Sequence, residues 1–455
     1  MGSRTIAALS SAKGRGAISV IRVSGCRAFE ILEKCLEPQM VFRKSPARRV
    51  NLYTFVSPLT ENPVDQVTAV KYVGPASFTG EDMVELFCHG GEFVAEKILS
   101  ALVDGGADLA DRGEFTRRAF LNGKFDLLHA EAILGIIESR SKREYEASLE
   151  AFMGESSRRL AAWRDLIKNL VRDVDASIEF PEEEDVQNST KMLIKRIAET
   201  RKDMERELNL SRKSHSIEKG IIVPIVGIPN AGKSSLFNLL VGYDRSIVHW
   251  KEGTTRDGVG EEVEIADQRV TLLDTAGLRD ADNDVEKIGI KKTREYMGKA
   301  SLVIWVTPAD AELTSMEEQI LAKEGQSKFV AVISKRDLAD TTPKERVLVE
   351  KKIPFVSCCL LDTKDRENLV AFAEVAVRKR IGPIAISSVL LAKRHESLAA
   401  RIVEELRQAE NNGGAGEEVA AAGLRRALSL FAELIGETTN EEILASIFSQ
   451  FCIGK

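Results

Sequence analysis

The sequence predicts a multidomain protein of the α/β and α classes. An N-terminal α/β domain is followed by a helical region in two parts, with a doubly wound P-loop sheet between those parts. Three observations predict this. Residues 1–121 mix strand-like runs with glycine-rich turns, and residues 122–218 and 380–455 are rich in Glu, Lys, Arg, Ala and Leu with apolar residues three to four apart. In residues 219–379, short apolar runs alternate with amphipathic stretches, the pattern of a parallel sheet covered by helices.

Bulk properties narrow the class. A chain of 455 residues suits about three domains at roughly 150 residues each. It is 44% hydrophobic and 29% charged, enough apolar material for several cores. No apolar run reaches the roughly 18 residues needed to cross a membrane, and the first residues lack a signal-peptide layout. The six cysteines show no Cys-x-x-Cys spacing and the five histidines are scattered, which points to a reducing, cytoplasmic setting without structural zinc. The formal net charge of −6 excludes a general nucleic-acid coat, so any RNA contact is local or shared with a partner.

In the N-terminal domain, Ala17–Val23 and Met83–Cys88 read as strands. Alternation places Glu85 on one face with Met83 and Phe87, and Arg22 on one face with Ile18 and Val20. A carboxylate among apolar neighbours needs a partner, because burying it unpaired costs several kcal/mol. Either residue alone also fits a sheet-edge charge or a structural ion pair. The helical texture then runs from about 124 to 215, broken at Phe180-Pro181 before an acidic run. It returns after 385, interrupted by the turn at Asn411–Gly416. Periodicity fits one helical domain with an insertion as well as two separate helical hairpins.

Between them, Ile221–Val226, Val270–Leu273, Leu302–Val306, Phe329–Ile333 and Pro354–Val356 read as strands, although Pro224 lacks a ladder donor. Gly227-Ile228-Pro229-Asn230-Ala231-Gly232-Lys233-Ser234, followed by Ser235, is a complete Gly-x-x-x-x-Gly-Lys-Ser loop between strand and helix. Its N–H groups cradle phosphates, Lys233 meets the β/γ charge, and Ser234 ligates Mg²⁺. Gly253-Thr254-Thr255 supplies a switch threonine, Thr255, for the same Mg²⁺, and Asp274-Thr275-Ala276-Gly277 supplies a carboxylate that supports the Mg²⁺ ligands from behind and a γ-phosphate sensor. Ser334-Lys335-Arg336-Asp337 stands where guanine-specific enzymes carry Asn-Lys-x-Asp, and Ser357-Cys358-Cys359 where Ser-Ala-Lys is usual. Asp337 can accept both guanine N–H donors and the Lys335 stem can cover the ring. Leu278 follows Gly277 where small GTPases place a water-orienting Gln, so the water is handled elsewhere or hydrolysis is slow. Asn230 offers another device, a ligand for a monovalent cation, whose charge can replace an arginine finger worth roughly 10³ to 10⁵ in rate.

The tail, Phe451-Cys452-Ile453-Gly454-Lys455, poses a choice between lipid anchor, helix end and active-site element. Gly454 and Lys455 fit a prenylation box poorly, and no upstream polybasic cluster supplies a second membrane signal. Thr439-Asn440-Glu441-Glu442 reads as a capping box that starts a final helix with Ile443, Leu444, Ile447, Phe448 and Phe451 as its apolar stripe. Cys452 extends that stripe as a small buried hydrophobe, with Gly454 ending the helix. Alternatively, Lys455 beside the sulfur makes thiolate chemistry available.

These motifs resemble the MnmE (TrmE) family of tRNA-modification GTPases over nearly the whole chain. Further blocks carry the resemblance: Ser77-Phe78-Thr79-Gly80-Glu81-Asp82, Cys88-His89-Gly90-Gly91, Gly113–Lys124, Asp126-Leu127, Ala130-Glu131-Ala132 and the Phe451–Lys455 tail. The resemblance implies an N-terminal tetrahydrofolate-binding, dimerising domain (1–121), a discontinuous helical domain (122–218 and 380–455) and an inserted G domain (219–379). It implies a homodimer that forms a heterotetramer with the FAD-dependent MnmG, acts on the five-position of the wobble uridine in tRNA, and takes a carbon from methylene-tetrahydrofolate, with 5-formyl-tetrahydrofolate as analogue.

The resemblance also implies residue roles. Arg22, Glu85, Lys124 and Lys455 contact folate, and Cys452 has a chemical role. K⁺ is held by Asn230, the backbone at His249 and Lys251, and Thr254, within a nucleotide-binding loop His249-Trp250-Lys251-Glu252-Gly253. Its first four side chains depart from the family pattern, and Lys251 brings a competing cation. Glu286 matches the water-orienting acid; by sequence alone it reads as a solvated carboxylate at a helix start. Two rivals remain. A GTP-dependent RNA or ribosome assembly switch would lack the folate block and tail. A folate-dependent transferase with a vestigial G domain would not keep Lys233, Ser234, Thr255 and Asp274 intact.

Overall fold

The computed structural model describes residues 4–139, 141–179, 186–218, 221–243, 260–274, 296–298, 300–314, 317, 328–381, 387–390, 392–412, 417–438 and 440–455. The chain divides into two compact units: Met1–Ile137 with Leu149–Glu205 and Arg394–Lys455, and Glu138–Ser148 with Arg206–Lys393.

The first unit contains a seven-stranded sheet. Its strands are β1 (Ile6–Leu9), β2 (Ile18–Ser24), β3 (Leu36–Glu37), β4 (Asn51–Val56), β5 (Pro63–Tyr72), β6 (Met83–His89) and β7 (Asp108–Leu109), in the order β3-β4-β5-β6-β2-β1-β7. All pairs are antiparallel except β1 with β7. Helices α1 (Ala28–Cys35), α2 (Gln39–Lys44) and α3 (Glu92–Asp104) pack on one face. Ile21, Val23, Tyr53, Phe55, Val67, Val84 and Leu86 point into that core. The two-residue side-chain period sends Arg22, Tyr72 and Glu85 to the opposite face. The strands read from sequence at Ala17–Val23 and Met83–Cys88 are β2 and β6, shifted by one residue at most.

Next come α4 (Glu114–Leu121), α5 (Leu127–Glu138), α6 (Lys142–Phe152), α7 (Glu155–Glu179) and α8 (Val186–Glu218). Within the first unit, late helices complete the bundle begun by α5 and α7.

The second unit holds a six-stranded sheet: β8 (Ile221–Gly227), β9 (Gly260–Ile265), β10 (Gln268–Asp274), β11 (Val303–Pro308), β12 (Phe329–Ser334) and β13 (Phe355–Ser357). Its order, β13-β12-β11-β8-β10-β9, is parallel throughout except for the β9–β10 hairpin. Ala266 and Asp267 turn that hairpin with φ of 57° and 63°, the left-handed pair that a two-residue turn requires. Helices α9 (Lys233–Tyr243), α10 (Thr342–Glu350) and α11 (Thr363–Ile381) complete the unit's described helices of eight or more residues outside α6 and α8. Pro224 is accommodated because the β8–β11 ladder begins at Ile225, directly after it, while β10 pairs with β8 through Pro224.

In the first unit again, α12 (Lys393–Asn412), α13 (Glu417–Ile435) and α14 (Glu441–Ser449) follow. The stripe predicted for the last helix is real. Leu444, Ile447, Phe448 and Phe451 are buried against Leu127 and Ala130 of α5. Two details of the tail differ from the sequence reading. Asn440, not Thr439, caps α14, its side chain accepting the Glu442 N–H at 2.7 Å; Thr439 lies outside the described residues. The helix stops at Ser449, so Cys452 leaves the stripe and is exposed rather than a buried hydrophobe, and Gly454 does not end the helix. Among the described residues no helix is long and apolar enough to cross a membrane.

Candidate functional site

In the second unit, the chemistry-bearing loops converge at the carboxyl ends of the parallel strands, where a doubly wound sheet binds ligands. The phosphate loop follows β8, the central strand. Gly227 passes so close to β11 that a Cβ there would sit 2.1 Å from the Val306 carbonyl oxygen. Asn230 adopts φ of 60° and Gly232 φ of 94°, which turns the loop around its own N–H groups. Lys233 is buried, and its Nζ donates to the carbonyl oxygens of Gly227 (3.0 Å) and Ile228 (2.8 Å). Ala231 is buried beneath the loop, whereas Asn230, Ser234 and Ser235 are exposed. Asp274 ends β10, buried and beside the loop's own strand.

The base-recognition segments follow β12 and β13. Ser334, which replaces the usual Asn, is fully buried and donates its hydroxyl to the Ala231 carbonyl oxygen at 2.6 Å. It thereby ties this segment to the phosphate loop. Lys335 takes φ of 58°, and its Nζ lies 3.1 Å from an Asp310 oxygen. Asp337 is exposed and has no hydrogen-bond partner among the described residues, so its carboxylate is available to paired N–H donors. Ser357 donates to Glu345 at 2.6 Å. The Cys359 N–H donates to Asp365 at 2.7 Å, and Arg336 pairs with the same carboxylate at 2.8 Å. Cys358 fills the apolar core, and burial, reinforced by Asp365 and Cys359, pushes its thiol up to about 12, where it stays neutral. His249, Trp250, Lys251, Glu252, Gly253, Thr254, Thr255, Thr275, Ala276, Gly277, Leu278 and Glu286 lie outside the described residues.

A second polar cluster lies on the open face of the N-terminal sheet. Arg22 on β2 and Glu85 on β6 are direct cross-strand partners, and Arg22 Nε donates to Glu85 Oε1 at 2.9 Å. The partner that each required is therefore the other. Tyr72, from β5, donates its hydroxyl to Glu85 Oε2 at 3.1 Å. Burial, with the Glu85 charge and hydrogen bond, raises the Tyr72 pKa, which keeps the phenol a donor. The Arg22 guanidinium carbon lies 5.2 Å from the centre of the Phe78 ring.

The loop that carries Phe78 is fastened to α4. Ser24 donates to Glu81 at 2.8 Å, Arg118 bridges Glu81 (2.9 Å) and Glu114 (2.8 Å), and the Asn122 amide donates to the Thr79 carbonyl oxygen at 2.7 Å. Lys124, after the Asn122-Gly123 turn, donates to the Pro75 carbonyl oxygen at 2.8 Å.

The tail closes on the same domain. The Lys455 main-chain oxygen accepts the Phe115 N–H in the first turn of α4, and Ile453 bridges to Arg112. Ser10, at the end of β1, donates its hydroxyl to the Gly454 carbonyl oxygen at 2.9 Å. Gly454 has φ of 89°, and a Cβ there would meet the Leu9 carbonyl oxygen at 2.3 Å. The Ser10 N–H bonds the Val20 carbonyl oxygen, and Val20 precedes Arg22 by two residues on the same face. The tail is thus fastened to the end of β1, the strand that pairs with β2, and to the start of α4.

The family description "GTP-binding protein TrmE N-terminus" matches residues 5–124, and "MnmE helical domain" matches residues 127–452. The chain belongs to the MnmE (TrmE) family. It is 34% identical over 453 residues to the tRNA modification GTPase MnmE of Thermosipho melanesiensis, covering 99% of both chains. It is 35% identical over 462 residues to the MnmE of Symbiobacterium thermophilum, covering 100% of both. Membership in the MnmE family makes the chain a GTP hydrolase of tRNA modification, with the P-loop sheet as its GTP-binding part.

Sequence reasoning missed two features of this MnmE-family chain. Tyr72 reads as an ordinary strand residue until β5 and β6 are aligned. Glu131, quoted only as part of a sequence block, is buried in the bundle. It accepts from Arg394 Nε (3.2 Å) and Nη2 (3.0 Å) and pairs with His395 Nε2 at 2.6 Å. Partners more than 260 residues away leave no local signal.

Proposed function

We propose that this chain couples GTP binding and hydrolysis to modification of the five-position of the wobble uridine in certain tRNAs. It acts in the cytoplasm as a homodimer, with an FAD-dependent flavoprotein of the MnmG type as partner in a heterotetramer. The added group is of the aminomethyl or carboxymethylaminomethyl kind. Its carbon comes from methylene-tetrahydrofolate held by the N-terminal domain, residues 1–121. The helical domain, 122–218 with 380–455, carries the inserted G domain, 219–379.

One observation carries the reading: a single chain of this family joins a phosphate-loop sheet to an N-terminal Arg22–Glu85 site with the Cys-Ile-Gly-Lys tail fastened beside its strand. The close approach at Gly227 and the left-handed turns at Asn230 and Gly232 suit a phosphate cradle that any Cβ would obstruct. Lys233 would meet the β/γ-phosphates, Ser234 and Thr255 would hold Mg²⁺, and Asp274 would support that shell. Asn230, Thr254 and the backbone at His249 and Lys251 would hold K⁺. These cations, when bound, supply positive charge against the phosphate oxygens. Leu278 cannot orient water, so Glu286 takes that role. Asp337 and Lys335 read guanine, while Ser334 fixes their segment on the phosphate loop.

In the N-terminal site Arg22 offers a cation and Glu85 an acceptor, the pair that a folate's amide-like ring edge and anionic tail require. Lys124 and Lys455 complete the set, and Cys452, exposed and close to Lys455 in the chain, supplies the thiol. The test is mass spectrometry of tRNA nucleosides from cells lacking this chain. The five-substituted wobble uridines should vanish; an unchanged nucleoside spectrum would remove the proposal.

A further inference from the structure

Two further residues touch the Arg22–Glu85 pair, Tyr72 and Phe78. Glu85 sits in the middle of the sheet, aligned with Arg22 on β2 and Val70 on β5. One carboxylate oxygen takes Arg22 Nε and the other takes the Tyr72 hydroxyl. Two donors from opposite neighbouring strands leave the carboxylate no free rotation, and its remaining lone pairs face away from both.

Arg22 is held just as specifically. A guanidinium carries five N–H donors, and the side-on bond through Nε uses one of them. Among the described residues, the η nitrogens of Arg22 make no other hydrogen bond. Yet its side chain is only 20% exposed, and that of Glu85 15%. A mostly covered cation with four unused donors is costly unless a ligand engages it. Phe78 lies against the guanidinium at 5.2 Å, and the loop that carries Phe78 is clamped by Ser24, Arg118 and Asn122. The ring supports the cation without consuming a donor.

We infer that Tyr72 and Phe78 are positioning residues of the folate site: Tyr72 sets the rotation of the Glu85 carboxylate, and Phe78 holds the outer edge of Arg22 toward the ligand. The inference rests on the folate reading above. It names a partly reduced pterin with an anionic tail as the ligand class, because the pair presents acceptor lone pairs and charged N–H donors side by side.

The test measures the affinity of the full-length protein for 5-formyl-tetrahydrofolate by titration calorimetry, with thermal unfolding of each variant. Tyr72→Phe removes one hydroxyl and should weaken binding on the order of tenfold. Phe78→Leu keeps apolar bulk and should weaken it about fivefold. The distinguishing readout is coupling. In a Glu85→Gln background, Tyr72→Phe should add less than twofold, since the group it positions is already altered. Losses that multiply in the double variant, or single variants that bind within twofold of wild type, would overturn the positioning role. If Tyr72→Phe lowers the melting midpoint, Phe78→Leu decides by the same criterion. Wild-type protein that fails to bind 5-formyl-tetrahydrofolate at all would overturn the folate reading itself, a result distinct from unaffected variants.

Discussion

Replacing Glu131 with Gln keeps the shape of a buried side chain while removing its charge. Glu131 is 9% exposed and His395 2% exposed, deep in the helical bundle. Burial alone would raise the carboxyl pKa, but His395 and Arg394 together outweigh it and hold the group down at about 2, against 4.5 for the free side chain. At about 1.4 kcal/mol per pKa unit, that lowering corresponds to about 3 kcal/mol in favour of the charged form. Gln mimics the protonated acid, so Glu131→Gln should cost about 3 kcal/mol at neutral pH. Arg394 also donates to the Glu433 and Leu434 carbonyl oxygens at the end of α13, so the loss should spread to that helix terminus. The depressed pKa fixes the sign of the pH dependence. The contribution is fully present above about pH 4.5 and is lost as pH falls toward 2, so the gap between wild type and variant should narrow over that window. Urea unfolding with hydrogen exchange read at α5, α12 and α13 isolates the bundle from the rest of the chain. A difference below about 1 kcal/mol at neutral pH, or one that does not shrink on acidification, would refute the argument.

Four further outcomes are expected. GTP hydrolysis should run faster in K⁺ than in Na⁺ at matched ionic strength, and equal rates would remove the role of Asn230 as a cation ligand. Ser334→Ala frees the Ala231 carbonyl oxygen and should weaken GTP binding several-fold, by about 1 kcal/mol, measured by nucleotide titration. Gly454→Ala drives a Cβ into the Leu9 carbonyl oxygen at a left-handed position, so it should displace the tail and abolish tRNA modification in cells while GTP hydrolysis continues. Cys452→Ser should leave the melting midpoint within a few degrees, since the thiol is exposed, and should lower the modified-nucleoside level; a wild-type level would assign the tail's role to Lys455 alone.

Most strands and the phosphate loop were legible because they depend on short-range patterns. Ile221–Gly227 is apolar throughout and ends in a glycine-rich turn, a signature that needs no partner to be recognised. Alternation gave the companions of Arg22 and of Glu85 along each strand, but that the two share a sheet face and pair needed the register between β2 and β6. What stayed hidden depends on long-range contact. The last helix reads as continuing through Cys452 because the apolar spacing continues, but Gln450 caps it and the following residues bond Ser10, Gly113 and the start of α4 instead. Asn440 displaced Thr439 as cap because its side chain reaches the Glu442 N–H. In sequence Ser334 shows only as a departure from the usual Asn, yet its hydroxyl finds the phosphate loop across more than 100 residues of chain.

The central claim is that GTP turnover and wobble-uridine modification belong to one mechanism in this chain. It is tested most directly by returning either the wild-type gene or Lys233→Ala to cells that lack it, and quantifying tRNA nucleosides by mass spectrometry. Lys233 lies buried in the phosphate loop, remote in sequence from the N-terminal site, and its loss should remove nucleotide turnover while leaving Arg22, Tyr72 and Glu85 in place. The account predicts full restoration of five-substituted uridines by the wild type and none by Lys233→Ala. Equal restoration by both would contradict it.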